Sequence, residues 1–321
     1  MPIHQAPENP MLDPQAANLL KLLQENNVPP VYTMTVEQAR EAYRTRGTYT
    51  QPDPPPVRQV KDHLVMSSTS RFTVREYQPN VQREGPVPAL VYLHGGGWTI
   101  GDLETHDVLC RSLCQQAGMV VVAVDYRMGP ESPFPAAYQD AMAAFLWVCN
   151  HAHTLGIDAE RVAIGGDSAG GNLAAAVCIG LRGAVLQPAF QLLIYPATHM
   201  KPDTESHEKF ADGYLLTRPA IEWFAGHYLA KPSDADDWRA SPLLAESHDG
   251  LPPALVLTAG FDPLRDEGLK YADALSKAGV PCQYICFERQ IHGFITMGKV
   301  IQEANTAVSL CAQALRQAMS I

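Results

Sequence analysis

The chain has 321 residues, 46% of them hydrophobic and 18% charged, which suits a large folded core and not a disordered polypeptide. A formal net charge of -10, with no polybasic cluster, excludes a nucleic-acid partner, because a phosphate backbone demands clustered Lys and Arg. No run of about 18 apolar residues occurs, and Met1-Pro2-Ile3-His4-Gln5-Ala6-Pro7 lacks a basic region followed by an apolar one, so the expectation is no membrane insertion and a cytoplasmic location.

In chain order, Asp13-Pro14 forms a cap and first-turn pair for a short helix carrying Leu19, Leu20, Leu22 and Leu23, which ends before Val28-Pro29-Pro30. Thr35 and Gln38 make a capping box for a second helix, and Gly47 is its expected stop. A proline-rich linker, Gln51 to Pro56, separates this appendage from strand-like runs near Val57 to Leu64 and Phe72 to Tyr77. From Ala89 onward apolar strands alternate with helical patterns, the mark of a mostly parallel sheet covered on both faces. The strands are expected at Ala89 to Leu93, Met119 to Val124, Val162 to Ile164, Gln191 to Ile194, Ala254 to Leu257 and Gln283 to Phe287. Thr198 to Ser247 breaks the alternation and reads as an inserted segment that meets the N-terminal helices above the sheet.

Four strand ends carry chemistry. After Leu93 comes His94-Gly95-Gly96-Gly97-Trp98, where successive glycines lose much backbone entropy on folding and are best explained by backbone N–H groups that approach a ligand closely, as an oxyanion hole requires. His94 is read as orienting this loop. After Ile164 comes Gly166-Asp167-Ser168-Ala169-Gly170, a G-x-S-x-G turn from strand to small-residue helix that projects Ser168 as a nucleophile. Partners for such a serine follow in the order acid, then histidine. Of the later histidines only His292 follows a strong strand by a short loop. Asp262, Asp266 and Glu267 are the candidate acids; Asp262 is nearest its strand end, whereas Asp266 and Glu267 suit the first turn of the next helix.

These motifs, His94-Gly95-Gly96-Gly97, Gly166 to Gly171, Asp262-Pro263-Leu264-Arg265-Asp266-Glu267 and His292-Gly293-Phe294, resemble those of the bacterial hormone-sensitive-lipase-like esterases. The resemblance covers nearly the whole chain, with Gly101 to Asp107, Asp125-Tyr126-Arg127, Pro133 to Ala137 and Gly213 to Thr217 also similar. It departs at Met128-Gly129-Pro130-Glu131, where Leu-Ala-Pro-Glu is usual, while keeping Arg127 and Glu131 as an expected structural ion pair. The resemblance implies an α/β-hydrolase fold with a helical cap: residues 1–55 as the N-terminal part of the cap, 56–197 and 248–321 as the catalytic domain, and 198–247 as the inserted cap segment. It implies a carboxylesterase acting on short- to medium-chain acyl esters, with Ser168, His292 and Asp262 as a triad. Oxyanion donors are sought in Ala169 and the Gly95, Gly96, Gly97 loop, the family favouring Gly96 and Gly97. Tyr214, Leu215, Trp223 and Phe224 are the candidate pocket walls, and a homodimer through the sheet edge near Gln283 to Phe287 is implied.

No metal, nucleotide or flavin is called for. The glycines around Ser168 do not have G-x-G-x-x-G spacing, and Cys110 and Cys114 read as buried core thiols. Seven scattered cysteines fit reduced thiols better than a disulfide framework. Two other classes stay open at this point: a non-catalytic hydrolase-fold binding protein, and a serine hydrolase of amides, carbamates or lactones.

Overall fold

The computed structural model describes residues 11–81 and 85–320; Met1 to Pro7, read above for a leader, lie outside them. Eight strands make one sheet: β1 (Gln59–Met66), β2 (Arg71–Gln78), β3 (Val87–Leu93), β4 (Val120–Asp125), β5 (Ile157–Asp167), β6 (Gln191–Ile194), β7 (Ala254–Phe261) and β8 (Cys282–Ile291). Their order is β1-β2-β4-β3-β5-β6-β7-β8. β2 is antiparallel to β1 and β4, and every pair from β4 to β8 is parallel. This is the mostly parallel sheet that the alternating pattern predicts.

The helices are α1 (Pro14–Glu25), α2 (Val36–Thr50), α3 (Asp107–Ala117), α4 (Ala136–Asn150), α5 (Ala152–Leu155), α6 (Ala169–Gly180), α7 (Glu205–Lys209), α8 (Arg218–Tyr228), α9 (Arg265–Lys277) and α10 (Gln302–Ala318). Alternation along β3 and β4 divides the core. Val91, Leu93, Val122 and Val124 pack on one side with Phe145 of α4, Leu173 and Val177 of α6, and Leu275 of α9. Leu90, Tyr92 and Val121 pack on the other with Leu109 and Leu113 of α3, Leu315 of α10, and Leu19 and Leu20 of α1. Each such buried aliphatic side chain contributes roughly 1.5–3 kcal/mol, so both helical layers are firmly held and the strand ends between them are fixed points.

The N-terminal helices start as their sequences dictate. Asp13 accepts hydrogen bonds from the N–H groups of Gln15 and Ala16, and the Thr35 and Gln38 side chains close the capping box. α2 does not stop at Gly47, however, but runs to Thr50. Gly47 keeps ordinary helical geometry, and the stop comes from Gln51, whose extended backbone (ψ 143°) is what a following proline requires. Among the described residues no helix is long and apolar enough to cross a membrane.

Candidate active site

Ser168, Asp262 and His292 each follow the last residue of a strand: β5 ends at Asp167, β7 at Phe261 and β8 at Ile291. Parallel neighbours deliver their C-terminal ends to one edge of the sheet, where α/β proteins bind ligands. Ser168 has φ 55° and ψ -117°, a strained conformation for a residue with a side chain. The turn is held because strand and helix meet with no room for a Cβ: one on Gly170 would lie 1.9 Å from the Leu93 carbonyl oxygen. α6 starts directly after Ser168, so the Ala169 N–H is a helix N-terminal donor that meets no acceptor among the described residues.

His292 Nδ1 lies 2.7 Å from Asp262 Oδ2 and its Nε2 lies 2.9 Å from Ser168 Oγ. Asp262 is fully buried, and its other oxygen accepts from the Leu264 N–H at 2.8 Å. The carboxylate can only accept, so Nδ1 carries the proton and Nε2 turns its lone pair toward the serine hydroxyl. Asp266 stands elsewhere: its carboxylate accepts from the Ser206 N–H at 2.9 Å and from Arg265 Nε at 2.7 Å. Burial would push the Asp266 carboxyl up, yet the Arg265 and Ser206 bonds outweigh it and hold the group below the usual carboxylate range.

The loop after β3 ties off its carbonyls one by one. The His94 carbonyl accepts from Tyr126 O–H at 2.7 Å, and the Gly95 carbonyl faces His94 Nδ1 at 2.9 Å. The Gly96 carbonyl takes the N–H groups of Thr99 and Ile100, and the Gly97 carbonyl takes the Thr99 hydroxyl. Arg40 of α2 donates Nε to the Thr99 carbonyl at 2.9 Å and grips Glu131 with two bonds of 2.7 Å. Burial, with help from His106, lowers the His94 pKa to about 4, so His94 is a neutral ring. With the carbonyls turned away, the N–H groups of Gly96 and Gly97 meet no acceptor among the described residues. Gly95 differs from the expectation that grouped it with them: its N–H bonds Asp167 Oδ1 at 3.0 Å and is not free for a ligand.

A model of the alpha/beta hydrolase fold family matches residues 90–296. The carboxylic ester hydrolase LipN of Mycobacterium tuberculosis is 47% identical over 246 residues, which are 74% of this chain and 65%, under two thirds, of that protein. The ethyl acetate hydrolase of Pseudomonas putida is 36% identical over 324 residues, 95% of this chain and 99% of that protein. An alpha/beta hydrolase enzyme from the metagenome of Lake Arreo, Spain, has a similar solved structure, with a TM-score of 0.94 at 40% identity over 98% of this chain and 100% of that one. This chain belongs to the α/β hydrolases, among the hormone-sensitive-lipase-like esterases. In this hydrolase the serine opens on a cavity of about 1160 Å³ roofed by α1, α2 and the segment around α8, with Leu19, Leu20, Tyr43, Leu215, Leu216, Ile221 and Phe224 in its walls beside Gly96, Gly97, Ser168 and His292. Phe224 sits directly over the glycine loop, where a Cβ on Gly97 would meet its ring at 2.3 Å.

Several expected positions move. Leu215 and Phe224 line the cavity of the hydrolase, but Tyr214 and Trp223 do not. Tyr214 is buried edge-on against Phe210 and 5.1 Å from the Phe261 ring, and Trp223 packs against the His227 ring, tilted by 49° with centroids 4.2 Å apart. Neighbours on a helix point about 100° apart, so Trp223 and Phe224 cannot share a wall, whereas Ala220 and Phe224, four apart, do. Leu22 is exposed while Leu19 and Leu20 are buried. Arg127 does not pair with Glu131; it binds the buried Asp140 at 2.8 and 2.9 Å, and Glu131 belongs to Arg40. A four-residue spacing aligns charges only on a helix, and residues 127–131 are a turn. Cys110 and Cys114 lie in the core, their thiols pushed up by burial.

Proposed function

We propose that this hydrolase is a carboxylesterase working through an acyl-enzyme, the reading carried by one observation: a continuous Ser168, His292, Asp262 line opening on an apolar cavity beside three unengaged backbone N–H groups. Ser168 Oγ attacks the ester carbonyl while His292 Nε2 takes its proton; Asp262 holds the ring in that tautomer and stabilises the imidazolium. The carbonyl oxygen becomes an oxyanion, received by the N–H groups of Gly96, Gly97 and Ala169. His292 then gives its proton to the departing alcohol. Water enters, loses a proton to the same ring, and frees the acid.

The substrate class is short- to medium-chain acyl esters, consistent with apolar walls and with the ethyl acetate hydrolase among the relatives. The cap comprises residues 1–55 and 198–247, a division supported by the described residues of both stretches, such as Leu19, Tyr43, Leu215 and Phe224, that line the cavity. Seven unpaired cysteines suit a reducing compartment such as the cytoplasm. β8 is an edge strand whose Tyr284, Ile285 and Cys286 are half-buried, which suits a homodimer paired along that edge. The deciding experiment is kcat/KM over a series of p-nitrophenyl esters from acetate to long acyl chains, with matched anilides beside them. Efficient turnover peaking at short to medium chains supports the proposal. Preference for the anilides, or no labelling of Ser168 by a fluorophosphonate, refutes it.

A further inference from the structure

β3 and β5 pair in parallel with Leu93 opposite Gly166, so His94-Gly95 and Asp167 leave the sheet side by side. The Asp167 carboxylate is engaged by buried partners on three sides. Its Oδ1 accepts from the Tyr92 hydroxyl at 2.8 Å and from the Gly95 N–H at 3.0 Å, and His106 Nε2 lies 3.2 Å away. The fit is close enough that a Cβ on Gly95 would fall 2.2 Å from Asp167 Oδ2, which is the steric reason for the first glycine of the loop. Asp167 is 3% exposed and His106 is 1% exposed. An ionised carboxylate in so dry a place is costly unless paired and hydrogen-bonded. Burial pushes the Asp167 carboxyl up, but His106 and the Tyr92 hydroxyl outweigh this and hold it below the usual carboxylate range.

His106 is itself fixed. Its Nδ1 lies 3.0 Å from Thr105 Oγ1, whose hydroxyl donates to the Asp102 carbonyl and accepts from the Asp102 N–H. Both ring nitrogens therefore face oxygens that can accept. Peptide planarity carries the consequence to the site. The His94–Gly95 peptide is held at both ends, its carbonyl by Tyr126 and its N–H by Asp167. The next peptide has its carbonyl held by the His94 ring, so its N–H, that of Gly96, has one direction left to point.

We propose that Asp167 and His106 are positioning residues for the oxyanion hole: Asp167 anchors the Gly95 N–H so that the Gly96 and Gly97 N–H groups converge on the developing oxyanion, and His106 keeps Asp167 an acceptor. This rests on the ester-hydrolysis reading of Ser168. Neither residue touches substrate. Their effect belongs to the tetrahedral state and not to binding of the planar ester.

The test uses the full chain with Asp167→Ala, Asp167→Asn, His106→Ala and the double variant Asp167→Asn/His106→Ala. Deleting one oxyanion donor outright costs about 100- to 1,000-fold in kcat, so misaiming donors that remain is expected to cost about 10- to 100-fold in Asp167→Ala with KM little changed. Asp167→Asn keeps a neutral acceptor for Gly95 and recovers most of that loss. His106→Ala slows the wild-type background and adds little to Asp167→Asn, because the charge it compensates is gone. A trifluoromethyl ketone, which forms a tetrahedral adduct with the serine, loses affinity by the same factor as kcat/KM. Folded Asp167→Ala with unchanged kcat overturns the proposal, as does a fall in kcat that leaves the ketone's affinity intact. If Asp167→Ala does not fold, the Asn and His106→Ala variants decide by the same two readouts. Wild-type protein that hydrolyses no ester would instead refute the esterase reading, before any of these variants is made.

Discussion

Ser168, His292 and Asp262 are joined in one line, and Thr105, His106 and Asp167 in another, both built from a hydroxyl, a ring and a carboxylate at the same end of the sheet. They differ in what else the hydroxyl does. Thr105 Oγ1 is buried and engaged with both the carbonyl and the N–H of Asp102, so it has neither a free lone pair to attack with nor a substrate to reach. Ser168 Oγ has His292 as its one partner among the described hydrogen bonds, sits on a strained turn and lines the cavity. A serine or threonine beside an acid–histidine pair is therefore not yet a nucleophile. A hydroxyl bonded to the histidine alone and opening on a cavity is what separates a proton relay from a structural tether.

The largest expected effect breaks the comparison at the hydroxyls. Ser168→Ala should lower kcat by about a million-fold with the fold intact, since all relay steps fail together. Thr105→Val removes the other hydroxyl at nearly constant volume and should cost no more than about tenfold, because oxyanion donors are shifted but none is lost. Turnover of a p-nitrophenyl ester, with circular dichroism as the fold check, measures both. Inactivity of the two variants in equal degree would erase the distinction.

The acids come next. Asp262→Asn preserves shape but admits the wrong tautomer of His292, with an expected loss near 10,000-fold in kcat. The corresponding change in the tether, Asp167→Asn, is the mild one. Comparing the pair tests whether charge beside a histidine matters for moving a proton or for holding a loop.

The first line was legible in the sequence and the second was not. Ser168, Asp262 and His292 lie directly after runs such as Ala254 to Leu257, where hydrophobicity marks a parallel strand, and strand ends converge by topology alone. β5 was harder to delimit, since Gly165 and Gly166 are poor strand formers, yet they sit in it because Leu192 and the Leu93 carbonyl leave no room for a side chain. His106 carried no local signal: it precedes α3, far from Asp167 in the chain, and only the folded chain brings the two together. The cavity walls failed in part for the same reason. Which of Tyr214, Leu215, Trp223 and Phe224 faces the serine depends on helix rotation and on loop packing against Phe261, neither of which composition reveals.

His94 lies between the two lines, stacked on Tyr126 and 5.6 Å from the His106 ring, and it gives the pH prediction. Its folded pKa is about 4 against 6.5 for an exposed ring. Below 6.5 the unfolded chain binds a proton that the folded one refuses, so stability is complete above that value and is lost as pH falls toward 4. Between pH 7 and pH 5 this single group should remove about 2 kcal/mol. His94→Asn, which can still donate to the Gly95 carbonyl, should show a flatter pH dependence in urea unfolding. Equal slopes in the two proteins would mean that the His94 ring takes up a proton as readily in the folded chain as in the unfolded one.

The smallest effect is expected at Asp266, the carboxylate four residues beyond Asp262. It closes the N-terminus of α9 onto α7: its oxygens take the Ser206 N–H and the Arg265 side chain, while Ser206 Oγ also accepts the Asp266 N–H at 3.2 Å. No bond joins it to His292. Asp266→Asn retains an acceptor for Ser206 and gives up charge facing Arg265 and the helix N-terminus, two partly exposed interactions worth together about 1 kcal/mol. Its folded pKa is depressed, so whatever stability the charge contributes is present above the usual carboxylate range and lost as pH falls through the lowered value. At neutral pH, Asp266→Asn should therefore melt a few degrees lower and keep kcat within about threefold, a gap of more than three orders of magnitude from Asp262→Asn. The reverse pattern, with Asp266→Asn inactive and Asp262→Asn working normally, would move the triad acid to Asp266 and leave the serine and histidine assignments standing.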